Sequence, residues 1–390
     1  MKSLATIAVA AASLTALGCD SRDAAAGTRA PVVYGADDRT EVYAHPSATF
    51  RALAETAVAI QMDRGWLDET DPADVRVTYT RTLGEAHMLC AGEPFADQVN
   101  PGTCSGTLID DRHVLTAGHC MDQPEDCGGA KVWVFGFRFA SAGMLAQLTS
   151  DDVYGCSRVL GYLNGLVVDH AVVELDRPVV GHTPAPLRAL AGALPDATPV
   201  TMIGHPNGIA MKIDSGGTVT WSSPTGEFLR ATVDSFAGSS GSGVFDADGN
   251  LVALLHGGAT DYVASGSCNV VSVIDPPPTA GGENLTYLRP ALTALCATPG
   301  VTASACSELP DAGPPAPDAG RPDVDADAPG LDAGGPVGGA GDAGGCSVAR
   351  STGTAASATA STSVGSLFLL GAWCMRRARR RFRAQAADRS

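Results

Sequence analysis

Short runs of β-branched and aromatic residues recur along this chain, each cut off after a few positions by Gly, Pro, Asn or Asp; Val75–Tyr79, Lys131–Phe135, Ala171–Leu175 and Leu251–Leu255 are examples. Such runs read as strands, because these side chains pack well on a pleated surface and the breakers close each run with a turn. Asp246-Ala247-Asp248-Gly249-Asn250, between two such runs, carries hairpin chemistry. Only Pro46 to Ala59, with Ala and Leu near helical spacing, reads as a helix. The 46 glycines and 25 prolines, about 18% of the 390 residues, exclude a coiled coil or long helical bundle. The pattern points to an all-β barrel or sandwich rather than βαβ units, and alone it goes no further.

The formal charge of −16 excludes a nucleic-acid binder that relies on a basic surface. Eleven cysteines without a single CxxC pair point to disulfides formed in an oxidising compartment. The N-terminus agrees: Met1-Lys2, an uncharged apolar run to Gly18, then Cys19-Asp20 describe a secretory signal over residues 1–18. Leu17-Gly18-Cys19 also resembles the site at which bacterial lipoproteins are cut and lipidated, although Ala16 stands where that family has Leu. Residues 19–31 are left as a short pro segment, with Arg29 as a cut site before Val32.

At the other end, residues 351–375 carry no charge and lead into the arginine cluster 376–383. A span of that length can cross a bilayer, with the arginines holding its end on the cytoplasmic side. Gly345-Cys346-Ser347, the apolar segment and the arginines together resemble the C-terminal sorting tails of myxobacterial surface proteins, in which the cysteine is the anchoring point; a plain stop-transfer anchor is the alternative. Residues 299–345 contain four Asp-Ala-Gly triplets and many prolines, and read as a disordered stalk. The folded part is then 32–298, and the tail 346–390. These segments imply a chain secreted across the inner membrane and held at the cell surface or outer membrane, by the tail or by a lipidated Cys19, and otherwise monomeric.

Three segments carry chemistry. Cys104 to Cys120 ends an apolar strand in Thr116-Ala117-Gly118-His119-Cys120, and a Cys104–Cys120 disulfide would fix the angle of His119. Val168-Asp169-His170, ahead of Ala171–Leu175, sets a carboxylate at the mouth of a buried strand, where it needs a partner. Taken alone, Asp169 reads as well as a turn residue, and His170 would face the other side of the strand. Asp234 to Phe245 packs small residues into a loop able to aim backbone N–H groups at one point, as oxyanion stabilisation requires. Of its serines, Ser240 has glycine two before and one after, whereas Ser239 follows Ala237 and Ser242 follows Ser240 at that spacing.

The order His119, Asp169, Ser240 with these flanks resembles the chymotrypsin-fold (trypsin-like) serine proteases, and most closely their bacterial glutamyl endopeptidase branch. Gly238-Ser239-Ser240-Gly241-Ser242, Ile203-Gly204-His205-Pro206-Asn207-Gly208 and Val32–Arg39 each resemble segments of that branch, with Gly243 standing where it usually has Pro. The resemblance implies two six-stranded antiparallel β-barrels with the active site between them, flanked here by the stalk and a C-terminal hydrophobic helix. It implies a serine endopeptidase acting on polypeptides, with His119 as base, Asp169 orienting it, Ser240 as nucleophile and the Gly238 and Ser240 amides as oxyanion hole. No metal or cofactor is called for.

Substrate preference stays open. Asp234 occupies the place where trypsin-like enzymes keep the carboxylate that binds Lys or Arg, or else is a structural turn residue. His256 falls where the glutamyl enzymes place a histidine that recognises a glutamate side chain. The remaining cysteines of the folded part allow 15 connectivities, among which Cys127–Cys156 and Cys296–Cys306 are expected. A catalytically inactive binding module on the same barrels, displayed on a surface, is the rival function.

Overall fold

The computed structural model describes residues 32–189, 193–258 and 260–309. The expected signal, pro segment and C-terminal tail, and the expected stalk from residue 310 on, lie outside them. Among the described residues no helix is long and apolar enough to cross a membrane.

Six strands, β1 (Val58–Asp63), β2 (Gly102–Leu108), β3 (His113–Thr116), β4 (Lys131–Phe135), β5 (Val153–Leu163) and β6 (His170–Leu175), close a barrel in the order β5-β6-β3-β2-β1-β4. A second six, β7 (Pro199–Gly204), β8 (Lys212–Ser222), β9 (Phe228–Ala231), β10 (Gly243–Phe245), β11 (Leu251–Gly257) and β12 (Glu283–Tyr287), run β7-β10-β11-β12-β9-β8 and close through the β7–β8 pairing. All twelve pair antiparallel, the architecture expected from the resemblance. One apolar cluster joins Val58, Leu115 and Val172 of the first barrel to Ile213, Phe245 and Leu254 of the second, so the barrels share a core where they meet.

Helix α1 covers Ala48–Thr56, capped by Ser47, whose hydroxyl accepts the Phe50 N–H. The helix expected to reach Ala59 stops earlier, because Val58-Ala59-Ile60 are fully buried and enter β1 instead. The strand expected over Val75–Tyr79 shrinks to the two residues Arg76–Val77, paired with Leu67–Asp68. After the five-residue α2 (Leu83–His87), α3 (Leu288–Cys296) is a helix that strand patterning missed. Its Leu288, Ala291, Leu292 and Leu295 form one buried stripe at helical spacing, packed on β5 and β6.

Among the described residues there are four disulfides: Cys104–Cys120, Cys127–Cys156, Cys296–Cys306 and Cys90–Cys268. The third corrects the expected start of the stalk. Residues 299–309 turn back after α3, with Ser304–Glu308 in a 3-10 turn and Ala305 buried.

Candidate active site

Strands β3 and β6 pair with Ala171 opposite Thr116, so the end of one lies beside the start of the other. His119 follows β3 in a 3-10 turn, Gly118–Met121, and Asp169 immediately precedes β6. The Cys104–Cys120 bridge ties that turn to β2. The side chains meet there: His119 Nδ1 lies 2.7 Å from Asp169 Oδ2. Asp169 is almost fully buried, and its Oδ1 accepts the N–H groups of Gly118 and His119, the latter at 3.1 Å. A buried carboxylate that accepts three N–H groups is compensated for its desolvation. Because it only accepts, His119 donates through Nδ1 and keeps Nε2 as an acceptor.

Ser240 comes from the second barrel, in the loop before β10. Its Oγ stands 2.8 Å from His119 Nε2. Two backbone bonds fix the loop: Ser105 N–H of β2 donates to Ser240 O at 2.8 Å, and Gly241 N–H to Leu255 O at 2.7 Å. Ser239 and Ser242, the rival serines, are fully buried, and Ser239 Oγ accepts Phe236 N–H.

The Gly238 and Ser240 N–H groups have no acceptor among the described residues, whereas Ser239 N–H donates to Phe236 O. Each orientation is set by the carbonyl of the same peptide. Asn207 N–H holds Ala237 O at 2.5 Å, and Ser242 N–H holds Ser239 O at 2.8 Å. In a planar trans peptide C=O and N–H point opposite ways, so holding the carbonyl from behind turns the N–H forward. Gly238 has φ +89, and a Cβ there would lie 2.5 Å from Gly208 N and 2.9 Å from His205 O. Asn207 is a positioning residue that sequence reasoning missed, though it lies within the 203–208 segment already singled out.

Thr286 of β12 was also missed. Its hydroxyl accepts Asp169 N–H and donates to Asp169 O, both at 3.1 Å, and lies 2.9 Å from His256 Nδ1. With its one proton so used, it receives Nδ1–H from His256. His256 therefore buttresses the peptide of Asp169 and borders a groove with His119 and Asn284. It does not line the cavity beside Ser240, which its strand neighbours Leu255 and Gly257 do. His170 is buried near Gly161, away from Ser240, as its strand parity implied.

Asp234 does not line the cavity beside Ser240. One oxygen accepts Tyr34 N–H and the other Asp38 N–H, both at 2.9 Å, and its own N–H donates to Asp214 Oδ2 at 2.7 Å. It is a clasp for residues 34–38, one oxygen on each of two of their backbone N–H groups. Burial raises its carboxyl above the usual range, and burial with the Asp234 charge raises that of Asp214 as well.

These shifts have opposite consequences to those of two buried histidines. Burial lowers His205 to about 3 and His256 to about 4. The unfolded chain takes protons below about pH 6.5 that these rings refuse, so their contribution is present above that pH and lost as pH falls through 4. The raised aspartates contribute below about pH 4 and lose that contribution as pH rises through their raised folded-state range. His256→Gln, which keeps a donor for Thr286, should therefore make stability less sensitive to acid. Between pH 4 and 6.5 the slope of unfolding free energy against pH should drop by up to about 1.4 kcal/mol per unit. Denaturant titrations at several pH values give that slope; identical slopes in variant and parent would rule the account out.

The cavity beside Ser240, of about 130 Å³, has Phe236 and Leu255 as apolar walls and the polar groups of Ser235 and Asp261. Residues 104–254 match the family model of the trypsin-like peptidase domain. No curated protein matches the chain. Among solved structures, a Glu endopeptidase is similar at 18% identity and TM-score 0.37, covering 66% of this chain and 93% of its own. An inactive form of a protein from M. tuberculosis H37Rv is similar at 13% identity and TM-score 0.36, covering 70% of this chain and 100% of its own.

Proposed function

We propose that this chain, whose residues 104–254 form a trypsin-like peptidase domain of chymotrypsin fold, is a serine endopeptidase acting through Ser240, His119 and Asp169. The observation that carries the reading is the unbroken relay from Asp169 Oδ2 through His119 to Ser240 Oγ, at 2.7 and 2.8 Å, beside two amides with free N–H groups. Serine is a weak nucleophile at its own pKa and needs a base within hydrogen-bond reach. His119 Nε2 takes the Oγ proton as Oγ attacks the peptide carbonyl, and later gives it to the leaving amine. Asp169 holds the ring in the competent tautomer and stabilises the imidazolium. The carbonyl oxygen, now negative, is taken up by the Gly238 and Ser240 N–H groups, each worth about 3–4 kcal/mol of barrier. Water then attacks the acyl-enzyme by the same route.

Secretion and attachment at the cell surface belong to the same proposal. The four disulfides among the described residues, which persist in oxidising compartments, support the secretion. A charged, membrane-impermeant fluorophosphonate applied to intact cells tests chemistry and location together. Covalent labelling of Ser240, absent in Ser240→Ala, is expected. Labelling only after lysis would remove the surface placement. Failure of the purified protein to label would leave the inactive binding module as the better account.

A further inference from the structure

The cavity beside Ser240 holds one carboxyl group whose bonding is incomplete. Asp261 accepts Ala237 N–H at 3.0 Å through Oδ2, and no other hydrogen bond reaches its carboxylate among the described residues. No Lys or Arg side chain lines the cavity. The nearby cation Arg39 is held bidentately by Asp37, at 2.8 and 2.6 Å, and stacks on the Phe236 ring. Arg39 acts on Asp261 only through space, so the partly buried carboxylate has no cation bonded to it, and a substrate that brings one relieves the cost of its burial.

We propose that Asp261, rather than Asp234 or His256, sets the side-chain preference at the bond to be cut, selecting a lysine or arginine that enters the cavity beside Ser240. The inference rests on the peptidase reading above and deepens it. Asp234 is excluded because it does not line the cavity, and its oxygens already hold the Tyr34 and Asp38 N–H groups. His256 cannot attract a glutamate, since its Nδ1 proton goes to Thr286, its Nε2 is buried, and it sits outside the cavity. A glutamate in the cavity would instead meet the like charge of Asp261.

Asp261 is also held firmly enough to discriminate. It directly precedes the hairpin of Tyr262–Ser265 and Cys268–Val271, which Cys90–Cys268 staples to the α2 side of the molecule. The Tyr262 ring packs 5.8 Å from that of Phe236, and its hydroxyl accepts Asn207 Nδ2–H at 2.8 Å. The residue that aims the Gly238 amide thus also braces the wall carrying the carboxylate.

The test uses peptides that differ only in the residue before the scissile bond: Lys, Arg, Gln and Glu. Asp261→Asn keeps an acceptor for Ala237 N–H and removes the charge. It should lower kcat/KM for Lys and Arg peptides by about 10–100-fold, the worth of a charge-assisted hydrogen bond, while Gln cleavage changes by less than about threefold. An equal fall for all four peptides would reduce Asp261 to a prop for the 236–238 loop and overturn the proposal, as would a wild-type preference for Glu. Benzamidine, an arginine-like cation, should slow fluorophosphonate labelling of the wild-type protein, a readout that needs no variant; no protection overturns the assignment. Labelling separates the two levels. A protein that labels at Ser240 but ignores the charge of the preceding residue loses this inference alone, whereas one that never labels loses the peptidase reading with it.

Discussion

His119→Ala is expected to lower kcat by about 10⁶-fold on whichever peptide the wild type cleaves best, with the fold intact. The ring accounts for that loss without being part of a core. Its side chain is 35% exposed, while the strand leading to it is held by pairing with β2 and β6. Asp169→Asn should cost less, about 10⁴-fold, for a different reason. The Asn carbonyl oxygen would go to the Gly118 and His119 amides, leaving its NH₂ to face His119 Nδ1. The ring would then accept at Nδ1 and carry its proton on Nε2, so it could not take one from Ser240. Because the residues act as one unit, the double variant should be no slower than His119→Ala alone. Steady-state kinetics on the three variants decide the matter. A His119→Ala protein within tenfold of wild type would end the reading of the relay as catalytic.

Gly241→Ala is the substitution expected to do most harm to folding. Gly241 has φ +84, and a Cβ there would lie 2.1 Å from Ser105 O and 2.3 Å from Thr116 Oγ1. Forcing an L-residue into that backbone region costs about 1–2 kcal/mol. Overpacking adds about 1–3 kcal/mol, toward the upper end here because the obstacle is the backbone of β2 rather than a side-chain tip. The expected loss is about 3–4 kcal/mol, read from denaturant midpoints. Gly266→Ala is the control: φ is +64, but nothing lies within 4 Å of its Cβ position. Equal losses at the two sites would mean that the contact between the barrels at Gly241 is not tight.

The parts of this site that were legible in the sequence are those whose signal is local. Thr116–Cys120 and Gly238–Gly243 each combine a strand with a short turn, and the residues that build the turn are neighbours in the chain. The Lys131–Phe135 strand was read to its ends because four successive residues, Val132 to Phe135, share one preference. What failed depends on distant segments. Nothing near Asp234 says that its oxygens are claimed by amides about 200 positions earlier. Asp261 carries no motif and reaches the cavity only through a hairpin fastened by Cys90, 178 residues from its partner Cys268. Thr286 looks like any strand threonine until the pairing of β11 with β12 brings it to Asp169. Helix α1 was overrun at Val58 and Ala59 because alanine and valine at helical spacing do not reveal that the next strand has already begun.

The two free amides next to Ser240 belong to main chain alone, with Asn207 N–H and Ser242 N–H gripping the far edges of their peptides. A cradle of this kind contains nothing that titrates, oxidises or can be deleted by exchanging a side chain. Its capacity for negative charge should accordingly be the same in acid and alkali wherever the backbone stays folded. Natural variation or engineering can retune it only from behind, by shifting the peptides that do the gripping.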